Sequence, residues 1–361
     1  MQTFLEKMKP ENWSRDIAID FGTNTVLVYV EGKGIVLKEP SVVAIDLNTD
    51  QVVKVGREAM EMLGREPDHM KALRPMKNGQ ISQYEVTLQM LKYFIRRACG
   101  KLWIPPRVLI TVPTGISEVE MRAVMDASHE AGARRTYLIE EPRAAALGAG
   151  LDIRSPIGSM VLNIGGGVSN TAVLSMGGMV AYDDIPVGGD KFDEAIMNYV
   201  RQRYQLLIGE RQAETIKIRI GEVYEHRKPE YMKVVGQALP GGLPKEIILS
   251  SKEMIEALSG PITAVLDSVC SVVERTPLDL IDNILKNGIT MTGGGSRLHG
   301  LDHLIERVTG IPTRVAEHPV TSIVAGAGSL LPYLNQMPEG MVNIPARIGR
   351  RQTTGNDKRY I

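Results

Sequence analysis

Residues 159–176 read SMVLNIGGGVSNTAVLSM: an apolar run, a turn of small residues, and a second apolar run. Alternating, β-branched-rich runs around such a turn give a β-hairpin. The same frame occurs earlier, at residues 16–30, as DIAIDFGTNTVLVYV. Asp20 and Asn163 hold equivalent places in the two hairpins. One period this long is not a solenoid repeat, which returns every 20–50 residues or so. It implies two related lobes, each opening with a hairpin.

The rest of the chain can be read outward from this pair. Short strands are expected over 41–45, 52–55, 107–112 and 137–139, and helical spacing of apolar residues over 58–63 and 86–98. Ser117 reads as the N-cap of a helix over 118–131, and an alanine-rich helix follows over 142–150. Beyond the second hairpin, helices are expected near 192–204, 213–223 and 252–275. Residues 225–250 are strand-rich. Residues 288–301 (GITMTGGGSRLHGL) give another strand, glycine turn and helix. A small-residue helix spans 322–334, and a loose basic tail follows. This divides the chain into an N-terminal amphipathic segment (1–15) and lobe I (16–150, with a small subdomain near 33–75). Lobe II follows (151–335, with a small subdomain near 190–250), then the tail (336–361).

The composition excludes several classes. Lys plus Arg and Asp plus Glu both count 42, so the net charge is zero and nothing favours a nucleic-acid partner. Two distant cysteines, Cys99 and Cys270, make neither a disulfide framework nor a zinc site. No apolar run is long enough for a membrane span. A cytoplasmic protein is therefore expected.

Three small-residue turns follow strands, at Gly22–Thr25, Gly165–Gly167 and Gly293–Gly295. Each offers backbone N–H groups to an anion, and glycine lets the backbone approach it closely. A P-loop is excluded because GxxxxGK[ST] is missing, and the absence of GxGxxG disfavours a Rossmann site.

The segments DIAIDFGTNT, LIEEPRAAALGAGL, MVLNIGGGVSNTAVLS, VGGDKFDEAI, LLIGERQAETIKIRIG and TMTGGGSRLHGL resemble, in order and spacing, the motifs of the bacterial actin MreB family. GKGIVLKEPSVVA points to the same branch. The resemblance covers about residues 16–335. It implies an α/β actin-like ATPase fold, two lobes of duplicated ribonuclease-H-like core around a cleft for ATP and Mg2+. Thr23, Asn24 and Thr25 would hold phosphates from lobe I, and Gly165, Gly166 and Gly167 from lobe II. Glu214, Thr215, Ile216 and Lys217 would lie beside ribose and base, with Gly293, Gly294, Gly295 and Ser296 closing over the adenosine. Asp20 would hold magnesium through water, and Glu141 would orient the hydrolytic water.

The chain departs from the family at the second turn, where Asp-Ile-Gly-Gly-Gly-Thr-Thr-Glu or Asp is usual. Here Asn163, Val168 and Asn170 stand at three of those positions. An amide accepts a hydrogen bond but carries no charge. ATP binding is therefore expected to persist, with hydrolysis slow or absent, and the departure leaves the ATPase activity itself open.

The resemblance further implies head-to-tail filaments that pair through the helix over 117–131, which carries Val119, Met121, Val124 and Met125. Membrane contact at the inner face of the cytoplasmic membrane is expected from two places. One is the terminal segment, with Phe4 and Leu5 at helical spacing. The other is the apolar tip Leu102, Trp103 and Ile104. The expected role is a peripheral scaffold for cell shape and cell-wall synthesis, with cell-wall elongation proteins as partners. The competing readings are a non-polymerising regulator and a small-molecule kinase on the same fold.

Overall fold

The computed structural model describes residues 15–77, 80–81, 83–100, 104–225 and 227–342. Its framework is two sheets of matching topology. In the first, the strand Ile17–Phe21 pairs antiparallel with Thr25–Val30, which pairs antiparallel with Gly34–Pro40. On its other side Ile17–Phe21 pairs parallel with Arg107–Val112, and that strand with Arg135–Glu140. In the second, Ser159–Ile164 pairs antiparallel with Ser169–Ser175, and that strand with Gly178–Ile185. Ser159–Ile164 then pairs parallel with Ile289–Thr292, and that strand with Thr313–Val315. The same five-strand order, 3-2-1-4-5, is thus built twice, as the repeated hairpins imply.

The central strands are buried along their whole length. Ile17, Ala18, Ile19, Val108 and Leu109 have no exposed surface, and neither do Val161 and Leu162. Helices cover both faces, so these strands read as continuous apolar runs. In lobe I one cover is the helix Tyr84–Cys99, packed against Glu118–Glu130. Ser117 caps the latter in a reciprocal box. Its hydroxyl accepts from the Glu120 N–H at 3.2 Å, and the Glu120 carboxylate accepts from the Ser117 N–H at 3.0 Å. On this helix Met121, Val124 and Met125 pack against the lobe I core, while Val119 is exposed.

Each lobe carries a smaller sheet. In lobe I it is Val43–Asp46 between Gln51–Val55 and Met70–Leu73, with the helix Arg57–Met62. In lobe II it is Tyr231–Ala238 between Leu206–Leu207 and Pro244–Ser250. Packed around it are the helices Gly189–Tyr204, Glu210–Ile220 and Ser251–Glu274. Ser251–Glu274 is long and apolar enough to cross a membrane by length and composition. Its apolar stripe, from Met254 through Leu258, Val265 and Val272, lies in the lobe II core.

The lobes are joined by two exchanged helices. Glu141–Gly148 follows the last main strand of lobe I yet packs on the second sheet, and Ser322–Leu330 packs back on the first. They cross at two glycines. A Cβ on Gly148 would sit 1.7 Å from the Ser322 carbonyl oxygen, and one on Gly326 1.9 Å from that of Ala144. The small-residue runs PRAAALG and SIVAGAGSL are therefore a requirement of backbone-to-backbone approach.

Several boundaries differ from expectation. The last α-helix ends at Leu330 rather than 334, because Pro332 has no N–H to continue it; the chain goes on as a 3-10 segment, Leu331–Gln336. The tail does not start at 336. Gly340–Met341 pairs with Tyr137–Leu138 as a sixth strand of the first sheet, and Glu339 accepts from the Thr136 N–H at 3.0 Å. The helix expected to reach 223 ends at Ile220, where Gly221 follows. The strands Gly34–Pro40, Met70–Leu73 and Gly178–Ile185 were not anticipated.

Candidate functional site

The two first hairpins aim their turns at each other across the interlobe cleft, around a cavity of about 570 Å3. The turn after Ile17–Phe21 brings Gly22, Thr23, Asn24 and Thr25 to its wall, and the turn after Ser159–Ile164 brings Gly165, Gly166 and Gly167. Space decides the glycines. A Cβ on Gly167 would lie 2.8 Å from the Thr23 hydroxyl, and one on Gly166 2.6 Å from the Asn24 side chain. The second turn is held from below by the N-terminus of Gly189–Tyr204. Gly189 N–H donates to the Gly165 carbonyl at 3.0 Å and Asp190 N–H to the Gly166 carbonyl at 2.8 Å. Asn24 reaches across to donate to the Asp190 carboxylate at 2.5 Å, tying lobe I to lobe II.

The third turn stacks on the second strand. Gly293 adopts φ +82°, where a Cβ would meet the Ile164 carbonyl oxygen at 2.2 Å. Gly293, Gly294 and Gly295 line the cavity. Ser296 is buried and closes its own turn by donating to the Gly293 carbonyl at 2.7 Å.

The helix Glu210–Ile220 presents Glu214 and Lys217 to the cavity, as their shared face requires. Lys217 Nζ donates to Asp193 Oδ2 at 2.7 Å and to the Gly189 carbonyl at 2.9 Å. Burial pushes the Asp193 carboxyl up to about 6 against the opposing pull of Lys217. Two residues expected here point elsewhere. Ile216 lies in the lobe II core with no exposed surface, and Thr215 is exposed with its hydroxyl on the Arg211 carbonyl. Only two of four consecutive residues on a helix can face one wall.

Acids gather at the phosphate end. Asp20 accepts from the Thr111 hydroxyl at 3.0 Å, and burial pushes its carboxyl up to about 6. Glu141, the first residue of the exchanged helix, is pushed up to about 8 by burial and by the negative Asp20 and Asp184. Asn163 stands beside them. Its Nδ2 donates to Asn170 Oδ1 at 2.9 Å and its Oδ1 accepts from the Thr292 hydroxyl at 3.2 Å. The Asn170 amide in turn faces Asp184, which accepts from the Thr114 N–H at 3.0 Å. Asp184 is raised by burial, against the effect of Asn170 and Thr114. Asn163 and Asn170 are thus a neutral pair in a fully buried position.

These residues suit a nucleotide. Glycine cradles that admit no Cβ, N–H groups at three turns and an apolar wall of Leu298, Val320 and Ile323 fit phosphates at one end and a base at the other. They also suit a hydrated magnesium ion, which needs one or two carboxylates beside the phosphates and its own waters. Asp20, on the cavity wall, would serve as that carboxylate.

Sequence reasoning missed Thr111, Asp184 and Lys38, the last of which also lines the cavity. A polar Thr111 within the buried run RVLITV was a usable signal. Asp184, on an edge strand far along the chain, gave none. Of the expected membrane-contact residues, Phe4, Leu5, Leu102 and Trp103 lie outside the described residues, and Ile104 is 36% exposed.

Comparison with known proteins agrees with this geometry. The MreB/Mbl protein family model matches residues 14–339. The cell shape-determining protein Mbl of Bacillus subtilis is 44% identical over 328 residues, covering 91% of this chain and 98% of that protein. The cell shape-determining protein MreB of Escherichia coli is 44% identical over 329 residues, covering 90% and 95%. The crystal structure of MreB5 of Spiroplasma citri bound to AMPPNP superimposes with a TM-score of 0.85 at 32% identity, covering 90% of this chain and 97% of that one.

Proposed function

The chain belongs to the MreB/Mbl family, and on that premise we propose that it is an ATP-binding bacterial actin homologue that assembles into filaments and hydrolyses ATP slowly. The observation that carries the reading is the convergence of three glycine turns, from two duplicated lobes, on one cavity that also holds Asp20 and Glu141. The family likeness of MreB5, described as bound to AMPPNP and elsewhere to ADP, supports a nucleotide as the occupant.

Backbone N–H groups of the turn at Thr23–Thr25 and of Gly166 and Gly167 bind phosphate oxygens from opposite lobes, while the Gly165 N–H closes its own turn on the Val168 carbonyl at 2.9 Å. Magnesium would supply neutralising charge to the phosphates, and Asp20 would hold it through water. Glu141 lies close enough to Asp20 and Asp184 to feel both charges, and it places the attacking water and accepts its proton. A group pushed up to about 8 is largely protonated at neutral pH in this arrangement. A cation in the site would draw it back to the carboxylate form. Asn163 adds no charge to this step and cannot accept a proton. Slow hydrolysis follows, since phosphoryl transfer depends on positioning and charge compensation.

The filaments act as a scaffold for cell shape and cell-wall synthesis, together with cell-wall elongation proteins, at the inner face of the cytoplasmic membrane. The support is the name of the relatives, cell shape-determining proteins, and the apolar residues Phe4, Leu5, Leu102, Trp103 and Ile104. Electron microscopy of the purified full chain with ATP, with ADP and without nucleotide tests assembly. Filaments with ATP support the reading, and monomers under every condition refute it. Liposome co-sedimentation with Trp103→Ala and with residues 1–9 deleted tests the membrane contact, which unchanged pelleting would rule out.

A further inference from the structure

One cation at the phosphate end has no role in the scheme above. Directly opposed residues on neighbouring antiparallel strands share a face. The register opposes Asp20 to Leu27 and Leu27 to Lys38. The three form a row across the first sheet, and all three line the cavity. At ~4.8 Å per strand, the backbone of Lys38 lies ~10 Å from that of Asp20. A lysine's four-carbon stem covers much of that distance.

Alternation along the strand separates Lys38 from its neighbour. Glu39 points to the opposite face, where it pairs with Arg97 at 3.0 Å and accepts from the Arg57 N–H at 3.0 Å. No such partner holds Lys38, which makes no ion pair among the described residues. The other cations on the cavity wall are differently placed. Lys217 is held by Asp193 and Gly189, and Arg297 sits on the third turn, in lobe II. The acids gathered at this end, Asp20, Glu141 and Asp184, make no ion pair with Lys38 among the described residues. Asp20 is engaged by Thr111, and Asn163 and Asn170 form a neutral pair.

We infer that the Lys38 ammonium binds the terminal phosphate of the nucleoside triphosphate, so that the site distinguishes triphosphate from diphosphate even without magnesium. The inference rests on the nucleotide reading of the cleft. An ammonium–phosphate hydrogen bond is charge-assisted and among the stronger kinds. It forms only when the terminal phosphate is present. Lys38 and magnesium then neutralise the same charge, and loss of one leaves the other in place.

The test is isothermal titration of the full chain with ATP and with ADP, in magnesium and in EDTA. It compares the parent with Lys38→Met and Lys38→Arg. Lys38→Met is expected to weaken ATP about tenfold or more in both buffers, and ADP by less than about threefold, the difference a charged hydrogen bond to one phosphate makes. Lys38→Arg keeps the preference for ATP. Lys38→Met binding ATP as the parent does, or losing ATP and ADP equally, overturns the inference and leaves the nucleotide site standing. A parent that binds neither nucleotide overturns both.

Discussion

Asn163→Asp changes one atom type in the most buried part of the cleft and should act in opposite directions on stability and on turnover. In the parent, Asn163 Nδ2 donates to Asn170 Oδ1 at 2.9 Å, and Thr292 donates to Asn163 Oδ1. A carboxylate keeps the bond from Thr292 but sets an oxygen against Asn170 Oδ1. Turning the Asn170 amide over restores a donor to residue 163 and then points its oxygen at Asp184. Either way a buried acceptor loses its donor beside an unneutralised charge, at a cost of about 2–4 kcal/mol. The variant without nucleotide should therefore melt several degrees below the parent. With ATP and magnesium the new carboxylate gains a cationic neighbour and the deficit shrinks. The same charge helps hold the attacking water, and a group of that kind is worth about 10²–10³ in rate. Single-turnover phosphate release by purified full-length protein measures this, with thermal unfolding in parallel. Asn163→Ala is the control, since it loses both hydrogen bonds and gains no charge, so it should be destabilised with no gain in turnover. An Asn163→Asp variant that binds ATP yet releases phosphate no faster than the parent would refute the argument.

Three further outcomes follow from named contacts. Gly326→Ala forces a methyl to within 1.9 Å of the Ala144 carbonyl; the exchanged helices must part, costing about 3 kcal/mol or more, read as a lower melting temperature and, because Glu141 opens one of those helices, as slower turnover. Glu141→Gln tests the raised carboxyl: the folded state holds a proton that the unfolded state releases from pH 4.5 upward, so folding loses stability as pH rises toward about 8. Without nucleotide the variant should match the parent near pH 5 and melt above it at pH 8; parallel curves across that range would contradict the assignment. Lys217→Met strips Asp193 of its partner, costing about 1–3 kcal/mol. Because Asp193 titrates near 6 even with Lys217 present, denaturant melts should show the loss at pH 8 and little of it at pH 5.

The duplication was legible because it lies in local pattern, two hairpins with the same strand–turn–strand frame, and the N-cap at Ser117 was legible in the same way. The glycine turns were legible for the same reason, since each is a short run whose backbone demands are visible in composition. What escaped was set by distant partners. Nothing local marks Asp184, which matters because it stands near Asn170 and Glu141 through tertiary folding. Thr215 and Ile216 were grouped with Glu214 and Lys217 by motif, whereas the helical period turns them away. The crossing at Gly148 and Gly326 joins residues far apart along the chain, so the run of small residues around 322–330 read only as a helix. The strand Gly340–Met341 exists through pairing with Tyr137–Leu138, and two residues carry no strand signal of their own.

The central proposal is a cleft that binds ATP and keeps it. The direct measurement is to incubate the purified full chain with ATP and magnesium, remove free nucleotide, and identify what stays bound over time by chromatography. Stoichiometric nucleotide is expected, remaining ATP long after Asn163→Asp has converted its own to ADP. Prompt conversion to ADP in the parent, or no nucleotide retained at all, would contradict it.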